Sequence, residues 1–180
     1  MRNLRRLPSC SVIWLRGIAV GVGSLAVLVL QAAACPSRVT GAERSIEEIE
    51  AAVARRVNAI RGEEMRPPLR MDPDLVRVAR EYSCALLERG TLSHEDASGK
   101  TVGDRVLAAG KPYQTVGENL ASSSGAGDPV DAAIGAWMRS IGHRENILRP
   151  EFVVTGVGAC RHGETYYFTQ IFLTPAPTRR

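Results

Sequence analysis

The sequence contains no CxxC pair, no HExxH segment and no internal repeat, and aromatic residues make up only 5% of it. Without CxxC, a zinc knuckle or a thioredoxin-like centre lacks its ligand spacing. Without HExxH, the chain has no helix-borne zinc-peptidase motif. No basic stretch is interleaved with aromatics, so the sequence gives no support to a nucleic-acid partner. No serine or cysteine stands visibly paired with a histidine as a nucleophile. Histidine itself is scarce: the three are His94, His143 and His162.

What is present begins with an export signal. Arg2, Arg5, Arg6 and Arg16 precede the uncharged run Gly17–Ala34, which closes on Ala32-Ala33-Ala34 before Cys35. A basic start, an apolar middle and a small-residue end are the parts of such a signal, here residues 1–35. The alternative is a retained membrane anchor, for which the run is just long enough. The segment Leu30–Cys35 resembles a bacterial lipoprotein signal, with Cys35 as the lipidated first residue, although Ala32 stands where that signal usually has leucine. An ordinary signal-peptidase cut suits the three alanines equally well. The expected location is secreted or in the extracytoplasmic envelope, with membrane association through a lipidated Cys35 or a retained N-terminal segment.

Charge and cysteine follow from that signal. The whole chain carries a formal +4, from 23 basic and 19 acidic residues. Removing residues 1–35 takes the four arginines named above and no acid, which leaves the remainder neutral. Of the four cysteines, Cys10 leaves with the signal. If Cys35 is lipidated, Cys84 and Cys160 remain as a pair in an oxidising compartment. They can bridge, or sit as two buried free thiols.

Residues 36–44 read as a short polar leader, 45–174 as one domain and 175–180 as a loose tail. A helix is expected from Ser45, with Glu48 as its capping-box partner, and Ile46, Ile49, Val53, Val57 and Ile60 on one face. A second opens at Asp72-Pro73 and closes at Gly90. Its apolar stripe is Leu75, Val78, Ala79, Tyr82 and Leu86, and Cys84 falls on the opposite face. A short helix is expected near 102–109, a flexible loop over Ser122–Pro129, and a helix from Asp128 to about Ser140. Gly142 and Pro150 read as the brackets of a constrained loop. The segments 152–160 and 165–174, rich in Val, Tyr, Phe and Thr, predict two strands joined by a turn at 161–164. Helices first and strands last predict an α+β fold with a small antiparallel sheet.

Three segments carry candidate chemistry: Ser93-His94, Gly117-Glu118-Asn119-Leu120 and Gly142–Leu148, GHRENIL. Two imidazoles and a carboxylate can ligate a divalent metal such as Zn²⁺, or pass protons as general acid and base. Taken singly, each reads first as a surface histidine or a carboxylate capping a backbone N–H. Arg144 fits either a cleft cation or a salt bridge. Asn146 fits loop satisfaction, Trp137 the core, and His162 a solvent-facing turn.

In order and wording these segments resemble the CAP superfamily, whose domain is also called SCP, in its compact bacterial form. Asn58-Ala-Ile-Arg61 is similar to the family's N-x-x-R, and Leu69, Asp72, Leu75 and Ala79 to its next helix. Ser93-His94, Gly117–Leu120 and Trp137–Leu148 (WMRSIGHRENIL) are similar to its histidine, Gly-Glu-Asn and “W..S..HR.NIL” segments. Gly156-Val-Gly158 and Tyr166–Phe172 resemble its closing strands. The resemblance covers roughly residues 45–174. It implies an α-β-α sandwich with a central cleft at His94, Glu118 and His143, supported by Asn119. A second glutamate common in eukaryotic members has no counterpart here; Ser140 stands in that neighbourhood.

The function this implies is a non-enzymatic binding module taking a lipid, a peptide or an envelope component, with a divalent cation in its cleft. The alternatives are a metal-assisted hydrolase of peptide or cell-wall material using His94, Glu118 and His143, and a structural envelope or spore-coat protein. The sequence defines no oligomer.

Overall fold

Four short-range capping signals set where the helices of this protein begin and end. Ser45 accepts the Glu48 backbone N–H at 3.2 Å while the Glu48 carboxylate takes the Ser45 N–H at 2.7 Å, which closes the expected capping box on α1 (Ile46–Glu63). Asp72 accepts the N–H groups of Asp74 and Leu75 and starts α2 (Pro73–Arg89). Gly90 ends that helix at φ +67°, a left-handed conformation that glycine adopts without steric cost. Asp128 accepts from Val130 at the start of α4 (Pro129–Arg139). The structure, a computed structural model, describes residues 44–177. Residues 1–35, where an export signal is expected, with Cys35, nearly all of the expected 36–44 leader and the last three residues of the expected tail, lie outside that range.

The remaining elements are β1 (Arg70–Met71), α3 (Val102–Ala108), β2 (Tyr113–Ser124), α5 (Ile141–Leu148), β3 (Val154–His162) and β4 (Thr165–Pro175). The strands form one sheet in the order β1-β3-β4-β2. Its three long strands are antiparallel neighbours, and the two-residue β1 lies parallel to β3. The expected antiparallel sheet is therefore mixed at one edge. The cause is Asn58 on α1, whose side chain bonds both the N–H and the carbonyl of Leu69 and lays the chain along β3.

Alternation along the strands builds an α-β-α sandwich. From β4, Tyr167, Ile171 and Leu173 pack toward α2 and α3. Phe168 and Phe172 pack on the other face with Ile49, Val53, Val57, Ile134, Trp137 and Ile147. The α2 layer comes unusually close. A Cβ on Gly156 would collide with the backbone of Leu75 and Val76, and one on Gly158 with the backbone of Ala79 and Arg80. Both positions must lack a side chain for α2 to seat. Cys84 and Cys160 form a disulfide between α2 and β3, with Cα atoms 5.0 Å apart. Beyond β1 the edge of β3 is covered by Glu50, whose buried carboxylate accepts the Ala159 N–H at 3.0 Å and pairs with Arg80 at 2.6 Å.

Three expectations change. Ser122–Ser124 continue β2 rather than forming a loop, because they pair with Tyr167, Tyr166 and Thr165 along the full length of β4. Residues 141–148 are helical, not a constrained loop. The tail is not loose at its start: Pro175 completes β4, and the Ala176 N–H donates to the Pro112 carbonyl at 3.1 Å. Trp137 is core, and His162 is exposed beside the β3–β4 turn. No helix among the described residues is long and apolar enough to cross a membrane.

Candidate functional site

Strand β2 sends the residues of its Gly-Glu-Asn segment to opposite faces. Glu118 pairs in register with Ile171 and points into the α2–α3 layer. Asn119, opposite Gln170, points to α5. Glu118 is the centre of the site. Its carboxylate is only 2% exposed, and both of its oxygens are engaged. Oε2 lies 2.8 Å from His94 Nδ1, and Oε1 accepts from Arg105 Nη2 at 2.5 Å. An ionised carboxylate can only accept, so the shared proton sits on Nδ1. That leaves Nε2 as the outward nitrogen of a half-exposed ring, with no hydrogen bond among the described residues.

The loop carrying His94 is fixed from below. The Tyr82 hydroxyl on α2 donates to the Ser93 carbonyl at 2.6 Å, and Ser93 Oγ accepts the Glu95 N–H at 3.1 Å. Asp96 gathers the backbone N–H groups of Ser98 and Lys100. Arg105, on α3, donates to the Lys100 carbonyl at 2.9 Å and lies 3.4 Å above the Tyr82 ring. The hydrogen bond to Glu118 holds the His94 pKa above the ordinary imidazole value, against the opposing effect of burial.

His143 enters from α5. Its backbone carbonyl accepts from Asn119 at 2.9 Å. Asn146 donates to Asn119 Oδ1 at 3.0 Å and to the Glu118 carbonyl at 3.3 Å. The two asparagines thus stitch α5 to β2. Burial lowers the His143 pKa, and the charge of His94 lowers it further. The two imidazoles therefore sense one another, but the His143 ring makes no hydrogen bond to Glu118 or to any other described residue. Arg144 turns away and pairs with Glu64 at 3.2 Å, fastening α5 to the end of α1.

Of the residues singled out in sequence, His94 and Glu118 are in direct contact. His143 stands near them, Asn119 and Asn146 support them, and Arg144 belongs to the scaffold. Among the described residues, no three His, Cys, Asp or Glu side chains converge as metal ligands. Both oxygens of the buried Glu118 carboxylate already accept a hydrogen bond, and His94 has turned Nδ1 inward. This arrangement does not fit a divalent ion held jointly by His94, Glu118 and His143.

Two participants went unnoticed in the sequence, Arg105 and the Tyr82 platform beneath it. The only signal for them was indirect: a glutamate inside an apolar strand must find a cation or a proton. A groove of about 350 Å³ lies between α2 and α3, lined by residues that include Val78, Glu81, Tyr82, Asp96, Lys100 and Arg105; it touches the site through Arg105 and is not lined by His94, Glu118 or His143.

The family model for CAP, the cysteine-rich secretory protein family, matches residues 54–172. The chain is 33% identical to the Bacillus subtilis protein YkwD over 134 residues, covering 74% of this chain and 50% of that one. An extracellular, SCP-domain-containing protein from Bacillus anthracis is 29% identical, with a TM-score of 0.60 over 71% of this chain and 42% of the other. An outer surface protein from Borrelia burgdorferi shares the fold at 21% identity, with a TM-score of 0.67 over 74% and 97%. The chain thus spans about half the length of its Bacillus relatives or less.

Proposed function

We propose, for a chain that belongs to the CAP family, an extracytoplasmic binding module whose cleft offers the His94 imidazole to a polar group of a peptide, a lipid or another envelope component. The observation that carries this reading is the Glu118–His94 bond at 2.8 Å. A buried carboxylate fixes the ring by one nitrogen and leaves the other facing outward. Held this way, the ring donates from Nε2 when protonated and accepts when neutral, so it serves an anionic group or a hydrogen-bond donor without rearrangement. Three observations support placement outside the cytoplasm: the Cys84–Cys160 bridge, the N-terminal sequence, and the extracellular Bacillus anthracis relative. Lipidation at Cys35 would add attachment to the membrane surface.

The same dyad gives a hydrolase reading its one support, since a carboxylate-oriented imidazole is also the form of a general base. Among the described residues, no serine, threonine or cysteine side chain bonds His94 Nε2 as a nucleophile would. Hydrolysis would need water, activated by His94 or by a metal ion, brought to Nε2, whereas binding needs only the fixed ring itself; the binding reading is preferred for that reason.

The test is equilibrium binding of the purified protein to cell-wall muropeptides and to vesicles of zwitterionic or anionic phospholipid, with His94→Ala alongside. Saturable binding to one of these, weakened in the variant, is the expected result. Turnover of a muropeptide that disappears in His94→Ala would favour the hydrolase. Binding to none of them, or binding indifferent to His94, contradicts the proposal.

A further inference from the structure

We propose that Arg105 is the resident cation of this cleft, so that the centre is complete without a metal ion. The buried Glu118 carboxylate must be neutralised, and here the neutralising charge comes from α3 at 2.5 Å. The guanidinium is itself held in place. Its side chain is 11% exposed, it lies 3.4 Å from the Tyr82 ring, and Nη1 is anchored on the Lys100 carbonyl at 2.9 Å. The Tyr82 hydroxyl is tied to Ser93, next to the histidine. The helix bearing Arg105 is set by the Thr101–Asp104 capping box and by Gly103, where a Cβ would collide with the Tyr113 hydroxyl.

This geometry decides what the neighbouring residues can do. A divalent ion at Glu118 would have to reach a carboxylate that is only 2% exposed and compete there with Arg105 and His94, each of which already holds one of its oxygens. It would also lie beside a fixed positive charge, which repels it. An ion at His94 Nε2 would find Glu118 behind the imidazole rather than on the metal, and only His143 as a second nitrogen.

The test is calorimetric titration of Zn²⁺ alone into the purified full chain at neutral pH. Four proteins are compared: the unaltered chain, Arg105→Met, Arg105→Gln and Arg105→Lys. Melting curves identify any variant that fails to fold, and the two neutral replacements back one another. The unaltered chain and Arg105→Lys are expected to bind weakly and alike. Loss of the charge should tighten one-equivalent binding by about tenfold or more, the scale on which groups around a metal site act, and Glu118→Gln added to the neutral variant should abolish the gain. Tight one-equivalent binding by the unaltered chain that is lost in His143→Ala would overturn the proposal. So would a folded neutral variant that gains nothing, or an Arg105→Lys variant that gains as much as Arg105→Met.

Discussion

Arg61 on α1 donates from Nη1 to the carbonyl of Ile147 at 2.6 Å, across 86 residues of sequence. The same fully buried guanidinium also bonds the carbonyls of Pro67, Arg149 and Phe152. Among the described residues it pairs with no carboxylate; three of its four partners are carbonyls at or beyond the end of α5, where the helix dipole is negative, and the fourth lies in the segment after α1. Arg61 therefore fixes the helix that presents His143.

Replacing Arg61 by methionine keeps the stem and strands several buried carbonyls. At about 1–3 kcal/mol for each unsatisfied group, the loss should be at least about 3 kcal/mol in urea unfolding. Arg61→Lys should recover part of it, because one ammonium cannot reach every acceptor. An Arg61→Met protein as stable as the unaltered chain would contradict this role.

A methyl group at Gly158 tests the sandwich. The new carbon would fall on the Ala79–Arg80 peptide, and the atoms in the way are backbone. Overpacking commonly costs about 1–3 kcal/mol; here the upper end or beyond is expected for Gly158→Ala. At Gly127, where nothing lies within 4 Å, alanine should be close to neutral. Thermal melts of the two variants make the comparison.

The Cys84–Cys160 bridge closes a sequence separation of 76 residues. Loop-closure entropy alone predicts about 4.5 kcal/mol of stabilisation for a loop of that size. Unfolding with and without reductant, with the double Cys→Ser variant as reference, should show a drop of that order. A reductant-insensitive midpoint would mean that the bond contributes little beyond the Glu50–Arg80 clamp at the same strand edge.

Stability should bend with pH on both sides of the ordinary histidine pKa of about 6.5. The raised His94 pKa gives a contribution that is full below the unfolded value and lost as pH rises through the folded one. The lowered His143 pKa gives the opposite: its contribution is present above the unfolded value and lost as pH falls toward the folded one. Urea midpoints between about pH 5 and 8, where histidine titrates, should lose their alkaline slope in His94→Gln and their acid slope in His143→Gln. Slopes unchanged by either substitution would contradict the assignments.

Helix starts were legible in the sequence because a cap is set by residues two or three apart, as at Ser45, Asp72 and Asp128. The closing strands were legible from their β-branched and aromatic content. What sequence missed is non-local. Ser122–Ser124 have loop composition, but the ladder along β4 makes them strand. Ile141–Leu148 buries only Ile147, so no apolar stripe announces a helix; Arg61 and the two asparagines hold it instead. At the site, the resemblance found His94, Glu118 and His143. It did not show that Glu118 binds His94 through Nδ1, nor that Arg105 sits behind both, since a lone arginine on a short helix carries no pattern.

The binding chemistry of the cleft depends on Glu118 holding His94 by Nδ1 and leaving Nε2 outward. Ring-nitrogen NMR of ¹⁵N-histidine-labelled protein, followed through a pH titration with Glu118→Gln in parallel, observes that bond itself. His94 is expected to carry its proton on Nδ1 when neutral and to titrate above the ordinary value, with His143 below it. The Glu118→Gln substitution should bring the His94 value down. A neutral His94 protonated on Nε2, or a His94 titration indifferent to Glu118, would contradict it.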